Sequence, residues 1–221
     1  MTLCASEFEK SIYFFLFECY NVRVQTDEME AELMCIEKYR FEEIYGDVTE
    51  YFGESFDVIE ARAKEKYKEA VAKLIEKGIS VSTAESFTGG LIGKLFTDVP
   101  GSSAIFYGGV IAYINEIKEG LLGVKRDTIE KYTEVSFEAA REMAEGARRV
   151  FGSDIAISTT GFAGPTGGNE NDPVGTVYVA VATCEKTVVF RTEYKGALLD
   201  REAIRTCSSL LAIEQILKIS G

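Results

Sequence analysis

A chain of 221 residues with 46% hydrophobic residues and a formal net charge of −12 can bury a sizeable core. Its length fits one large domain, or one ordinary domain with an appendage. Residues 1–57 hold 14 Asp or Glu against 4 Lys or Arg and 12 of the 25 Phe and Tyr, so the composition changes near Phe56. The composition predicts an acidic, aromatic-rich N-terminal segment, 1–57, and a domain, 58–221. The acidity of the N-terminal segment argues against a nucleic-acid partner.

The usual catalytic and metal-binding residue sets are missing from this sequence. It has no histidine, and its five cysteines show neither a CxxC pair nor an even spacing, which predicts a reduced, cytoplasmic chain with no metal site. The apolar run Ile12–Phe17 lies between Glu9 and Glu18 and is far shorter than a bilayer span, so we expect no membrane partner. Without histidine, a nucleophile would have to be activated by lysine, by a carboxylate or by a metal on oxygen ligands.

Apolar periodicity predicts most of the secondary structure. Residues 27–45 have a helix-like recurrence, and a second helix is predicted from about Val58 to Lys77, with Gly78 as its stop. After it, predicted strands and helices alternate: strands at Ile79–Ala84, Phe106–Tyr113, Ile155–Thr160, Thr176–Ala182 and Thr187–Tyr194, and helices from Gly90, from Asn115, after a Ser136 N-cap and from Asp200 to about Ile219. This order implies an α/β fold, a three-layer α/β/α arrangement with a mixed sheet, beside a small, mainly helical N-terminal segment.

The stretch TAESFTGG, Thr83–Gly90, lies where a predicted strand gives way to a helix. Open α/β sheets bind ligands at such a place, and two glycines would let backbone amides approach an anion or an oxyanion closely. The alternative is an ordinary capped helix start, with Ser86 or Thr88 as the capping residue.

A second stretch, Pro100–Ser103, precedes a predicted strand that ends in Tyr113, and Lys118 then lies about one turn into a short helix. A lysine in that position is most often a solvated surface residue. With no histidine in the chain, however, a lysine close to a serine is the remaining natural base, because burial or a cationic neighbour lowers its pKa.

Two further stretches could bind an anion. Residues 161–175 contain five glycines directly after a predicted strand, and their backbone N–H groups could form an anion nest, the alternative being a merely flexible loop. Arg201 and Arg205 share a helix face and could hold a phosphate bidentately. They could equally be surface arginines neutralised by Asp200 and Glu202.

Read in order, a series of motifs closely resembles the CinA C-terminal domain family over about residues 66–221: TAESFTGG, DVPGSSA, GGVIAYINEIK, LLGV, EVS before a helix, MAEGAR, TTGFAGPTGG, PVGTVYVAVA and DREAIR. The characterised members are nicotinamide-nucleotide amidases, which convert nicotinamide mononucleotide to nicotinate mononucleotide and ammonia without a metal. The resemblance implies that activity, a small-molecule nucleotide as substrate, no cofactor, and a homo-oligomer, with a dimer favoured.

The resemblance also implies roles for single residues. Ser86 would be the nucleophile, Lys118 the base that activates it, and Tyr113 a hydroxyl that relays or orients. Arg201 resembles the family's phosphate-contacting arginine. The positions expected to contact the substrate are Thr88, Gly89, Gly90, Ser103, Thr160, Gly161, Gly164, Arg201 and, as a weaker candidate, Arg205.

The sequence departs from the family pattern in two places. Phe87 follows the expected nucleophile where the family often has cysteine, so a cysteine nucleophile is impossible there. The 57 N-terminal residues are too few for the large molybdopterin-binding-like domain of full-length relatives, and we expect them to serve packing or dimerisation, because twelve aromatic side chains would otherwise be exposed. Two other functions stay open: a nucleotide-binding or regulatory module without turnover, and a scaffold whose N-terminal segment recruits a partner.

Overall fold

In the part of the chain that the computed structural model describes, residues 40–45, 55–194 and 200–219, six strands form one mixed sheet. The strands are β1 Arg40–Tyr45, β2 Val81–Glu85, β3 Phe106–Ile111, β4 Ile155–Gly161, β5 Thr176–Ala182 and β6 Lys186–Glu193. The helices are α1 Phe56–Lys77, α2 Leu91–Thr97, α3 Asn115–Gly120, α4 Arg126–Tyr132, α5 Phe137–Phe151 and α6 Arg201–Ile219, with a 3₁₀ turn at Ser102–Ala104. None of the described helices is long and apolar enough to cross a membrane.

The strand order is β1-β6-β5-β4-β2-β3. β2 pairs in parallel with β3 and β4, and β1 pairs in parallel with β6, whereas β4–β5 and β5–β6 are antiparallel. The carboxyl ends of β2, β3 and β4 therefore meet at one edge of the sheet, named the site edge below. Open α/β sheets bind ligands outside the carboxyl ends of their strands.

Helices cover both faces of the sheet, which confirms the three-layer prediction. Alternate side chains of β5 point to opposite faces of the sheet. Val177, Val179 and Val181 pack in the core beneath α1, α2 and α6, and Tyr178, Ala180 and Ala182 pack in the core beneath α5. The Tyr67 hydroxyl of α1 donates to the Ser209 carbonyl of α6 at 3.1 Å and ties the two helices of one layer together.

Local chemistry sets the helix ends as the sequence predicts. The apolar face of α1 is buried, and the helix ends at Gly78, whose φ of 64° is a left-handed conformation that glycine adopts without steric cost. The helix α5 begins after Ser136, whose Oγ accepts a hydrogen bond from the Ala139 N–H at 3.1 Å.

The predicted helix over 27–45 is wrong for residues 40–45, which form β1 in register with β6. Pairing with a strand nearly 150 positions away supplies the backbone hydrogen bonds there, and the local periodicity does not report that pairing. β1 thus joins the sheet although it precedes the boundary predicted at 57/58, and residues 27–39 lie outside the described part. The sequence also did not predict α4, a helix of seven residues, or the 3₁₀ turn.

Candidate active site

Ser86 is the first residue after β2, at the site edge. Its backbone N–H donates to the Thr159 carbonyl of β4 at 3.0 Å, so the serine is held between two strands. Only 8% of its surface is exposed, and its hydroxyl has no hydrogen-bond partner among the described residues. The chain then turns through Gly89 and Gly90, with φ of 60° and 92°, into α2. An unpaired hydroxyl of a largely buried serine on a strand-to-helix turn has the position of a nucleophile.

The carboxylate of Glu85 occupies the start of α2. It accepts hydrogen bonds from the N–H groups of Gly90, Ile92 and Gly93 at 2.9, 3.1 and 2.8 Å. The Gly89 N–H donates to the Ser86 carbonyl at 3.1 Å. The expectation that the amides of Gly89 and Gly90 would face a substrate anion is therefore wrong, since both already have acceptors. The helix also lacks a side-chain cap from Ser86 or Thr88, because its N-cap is Gly90.

Arg205 holds the turn that carries Ser86. Its Nε and Nη2 donate to the Thr88 carbonyl at 3.1 and 2.6 Å, and the Thr88 and Thr159 hydroxyls are hydrogen-bonded at 2.7 Å. Thr88 is completely buried. Both residues thus support the turn. The weaker prediction that Arg205 holds a substrate phosphate stays a prediction, since Nε and Nη2 of its guanidinium donate to Thr88 while Nη1 does not.

Lys118 is buried to 1% exposure on α3, so the alternative of a solvated surface lysine is wrong. Its Nζ donates to the Glu134 carbonyl at a long 3.5 Å, and the Thr160 hydroxyl donates to the same oxygen at 2.6 Å. Burial lowers the pKa of Lys118, while the Glu134 carboxylate acts in the opposite direction. β4 connects Lys118 to Ser86, because the Thr159 carbonyl accepts from the Ser86 N–H and the neighbouring Thr160 shares the acceptor of Lys118.

Arg201 joins two loops of the site edge. Its Nη2 donates to the Tyr113 hydroxyl at 3.1 Å and its Nη1 to the Gly164 carbonyl at 2.8 Å. Tyr113 is 59% exposed, and the Ala112 N–H before it donates to the Glu85 carbonyl at 2.8 Å. The structure thus brings Tyr113, Gly164 and Arg201 together, with the arginine exposed to solvent at the start of α6.

The glycine-rich loop 162–175 is anchored at its base. Gly161 permits a close approach of β4 to β5, because a Cβ there would lie 2.8 Å from the Thr176 carbonyl oxygen. The Arg191 side chain donates to one carboxylate oxygen of Asp172 through Nε at 3.2 Å and Nη2 at 3.1 Å, and the Tyr178 hydroxyl donates to that oxygen at 2.8 Å. No sequence pattern predicts this trio, because its members lie in a loop and in two strands.

Ser103 is the one predicted site residue that the structure separates from the others. It lies in the 3₁₀ turn directly before β3 and is exposed. Because β2 and β3 are parallel, the start of β3 lies at the edge opposite to Ser86. The prediction that Ser103 contacts the same reacting centre is therefore wrong for a site built within one chain.

The arrangement at the site edge is suited to acyl transfer. It offers an unpaired serine hydroxyl, a buried lysine and an exposed arginine, and no three His, Cys, Asp or Glu side chains within the described ranges are grouped in a way that could hold a metal ion. These are the parts that a Ser–Lys mechanism requires: a nucleophile, a base of lowered pKa and a cation for the substrate.

Comparison with known proteins agrees with this architecture. The family model of the CinA C-terminal domain matches residues 63–220. A CinA-like protein of Leptospira interrogans is 48% identical over 160 residues, covering 72% of this chain and 35% of that protein, and one of Geobacter sulfurreducens is 47% identical over 159 residues, covering 72% and 38%. The chain thus spans little more than a third of the length of these curated relatives.

Solved structures show the same fold. The competence/damage inducible protein CihA of Agrobacterium tumefaciens aligns with a TM-score of 0.70 and 32% identity, over 72% of this chain and 96% of that chain. A CinA superfamily protein of Klebsiella pneumoniae aligns with a TM-score of 0.68 and 29% identity, over 72% and 97%. Residues 63–220, which the family model matches, contain the whole site edge described above. The chain therefore belongs to the CinA C-terminal domain family.

Proposed function

We propose that the chain is an amidase that hydrolyses nicotinamide mononucleotide to nicotinate mononucleotide and ammonia, with Ser86 as nucleophile and Lys118 as base. The observation that carries the proposal is the burial of Lys118 beside the strand that holds Ser86. A desolvated amine has a lowered pKa, so a larger fraction of it is neutral near pH 7 than for an exposed lysine. A neutral amine can accept the proton of a serine hydroxyl.

The reaction proceeds in two halves. The Ser86 oxygen attacks the carboxamide carbon and transfers its proton to the Lys118 amine, and the carbonyl electron pair moves onto the oxygen. When that pair returns, the carbon–nitrogen bond breaks, and ammonia leaves with the proton from Lys118. Water then attacks the nicotinoyl ester on Ser86 with Lys118 again as base, which releases the acid and restores the serine.

The phosphate of the substrate would bind at Arg201. This guanidinium is exposed and already holds the loops that carry Tyr113 and Gly164, so an anion bound there contacts both sides of the site edge. The Tyr113 hydroxyl accepts from Arg201, which fits an orienting role. A planar guanidinium binds phosphate through paired hydrogen bonds.

The test measures ammonia and nicotinate mononucleotide released from nicotinamide mononucleotide by the purified chain, with a chelator present throughout. Ser86→Ala and Lys118→Met are expected to abolish release, whereas Cys184→Ala, which removes an exposed thiol in the β5–β6 turn, is expected to retain it. Binding of the nucleotide without ammonia release by the wild type would instead assign the chain to a non-catalytic nucleotide-binding module.

A further inference from the structure

The turn after Ser86 contains two backbone N–H groups that the fold leaves unused. The neighbouring amides all have acceptors: Ser86 to Thr159, Gly89 to Ser86, Gly90 to Glu85, Leu91 to Thr88, and Ile92 and Gly93 to Glu85. Within residues 40–45, 55–194 and 200–219, the N–H groups of Phe87 and Thr88 have no acceptor. Both residues are buried, and buried N–H groups without a partner are rare in native proteins because each costs free energy.

These two N–H groups are held in fixed positions. The Phe87 ring is packed in the core beneath α1, α2 and α6. Thr88 is held from two sides, through its hydroxyl by Thr159 and through its carbonyl by the Arg205 guanidinium. Hydrogen-bond donors that are already oriented before the reaction stabilise a developing charge without reorganisation. Both amides are therefore rigid, and of the two residues only Phe87, directly after Ser86, retains exposed surface.

The start of α2 cannot take this role, because the Glu85 carboxylate already accepts from its N–H groups. Serine hydrolases whose nucleophile sits on a strand-to-helix turn use the N–H of the residue after the nucleophile to hold the tetrahedral oxygen. Phe87 has that position relative to Ser86.

We propose that the backbone N–H of Phe87 is the oxyanion-hole donor for attack by Ser86. This rests on the proposed function for Ser86 as nucleophile and Lys118 as base, but not for the identity of the substrate, since any acyl group attacked by Ser86 would use the same donor. In the step itself, the bond from Ser86 Oγ to the carbonyl carbon forms, the proton passes to Lys118, and the oxygen receives the carbonyl electron pair beside the Phe87 N–H. The negative charge leaves that oxygen when the carbonyl re-forms and the leaving group departs.

The experiment replaces one backbone amide by an ester. Phenyllactic acid incorporated at position 87 by nonsense suppression keeps the phenyl ring and removes only the N–H. The α-hydroxy analogue of threonine at position 88 is a neighbouring control, because Thr88 is completely buried. A second control is phenyllactic acid at Phe96, near the end of α2, which introduces an ester away from Ser86. The first readout is acylation by the p-nitrophenyl ester of nicotinic acid, measured as a burst of p-nitrophenolate, and the second is ammonia release from nicotinamide mononucleotide.

The expected result is a burst rate lower by about 100- to 1000-fold with the ester at 87, with the Thr88 and Phe96 controls near wild type. An unchanged burst with the ester at 87, or no Ser86-dependent burst in the wild type, would overturn the proposal. A burst that needs the Phe87 amide, together with no ammonia release by the wild type, would keep the oxyanion hole and reject the substrate. The two proposals therefore fail by different results.

Discussion

Lys118 and Thr160 donate hydrogen bonds to the same oxygen, the backbone carbonyl of Glu134, at 3.5 and 2.6 Å. The threonine bond is the shorter of the two, so the carbonyl is engaged mainly by Thr160. A hydrogen bond to an ammonium favours its charged form, and a weak one favours it little. Thr160 thus helps to keep Lys118 in the neutral form that the proposed reaction needs.

Replacement of Thr160 by valine should move the pH dependence of the reaction. Thr160→Val keeps the shape of the side chain but frees the Glu134 carbonyl for Lys118, which raises the pKa of the lysine. Because the neutral amine is the active form, activity rises with pH through this pKa. The rising limb of the pH profile should shift to higher pH by about half to one unit, which corresponds to the free energy of one hydrogen bond. The measurement is kcat/KM against pH.

The control for this prediction is Thr160→Ser, which keeps the hydroxyl donor and should leave the limb in place. A limb that stays unchanged in Thr160→Val, or moves to lower pH, would contradict the shared-acceptor explanation and leave Thr160 as a residue that merely lines the pocket.

Replacement of Lys118 by methionine should stabilise the fold while it removes the activity. Burial in the folded state lowers the pKa of Lys118 below the ordinary value of about 10.4, so between the folded pKa and about 10.4 the unfolded chain binds more protons at this position. Lys118 therefore destabilises the folded state most at pH values below its folded pKa. This destabilisation decreases as pH rises from there towards about 10.4. We expect Lys118→Met to be more stable than the wild type by about 1 kcal/mol near pH 7.

Urea unfolding at a series of pH values checks this prediction, and the difference between the two proteins should narrow as pH rises. Lys94→Met is the control, because the Lys94 side chain is 62% exposed and its loss should change stability by less than about 0.5 kcal/mol. A difference in the free energy of unfolding that stays constant with pH would show that the pKa of Lys118 is the same in the folded and unfolded states.

The sequence predicted those features that local chemistry decides. The spacing of Ala63, Tyr67, Ala70 and Leu74 with Gly78 after them defines α1, and the Ser136 cap defines the start of α5. Ser86 falls at the site edge because a strand that gives way to a helix in a parallel sheet places its last residues there. These features need no knowledge of distant residues.

The remaining features depend on contacts between distant residues. The stretch around Lys118 has the sequence of an exposed helix, and its burial comes from packing against the chain around Glu134. The register of β1 is set by β6. Glu85 ends a strand, and nothing local shows that its carboxylate turns back and accepts from the N–H groups at the start of α2.

Tyr113 and Arg201 should act as a coupled pair. Tyr113→Phe removes the hydroxyl that accepts from Arg201, and Arg201→Met removes the donor, so the double variant should lose less than the sum of the single losses. A coupling energy of about 1 kcal/mol in kcat/KM is expected for one such bond. Strict additivity would mean that the two side chains contact the substrate independently.

The glycine-rich loop should loosen when its anchor is removed. Arg191→Met deletes the side chain that holds Asp172 against β5 and β6. Burial and the Asp172 carboxylate raise the pKa of Tyr178, so its hydroxyl stays protonated and, among the described residues, remains the one side-chain donor to Asp172. Because the Gly164 carbonyl in this loop orients Arg201, KM should rise by about tenfold with a smaller change in kcat, the worth of about 1.4 kcal/mol of binding.

Amide hydrogen exchange over residues 162–175 supplies the readout that does not depend on activity, since a loosened loop exchanges faster. Arg126→Met is the matched control, because Arg126 is 78% exposed on α4 and pairs only with exposed Glu130 among the ion pairs described. Faster exchange with unchanged KM would place the loop outside the substrate pocket. Unchanged exchange would mean that Tyr178 and the turn at Asn169, which accepts from the Asn171 and Asp172 N–H groups, suffice to fix the loop.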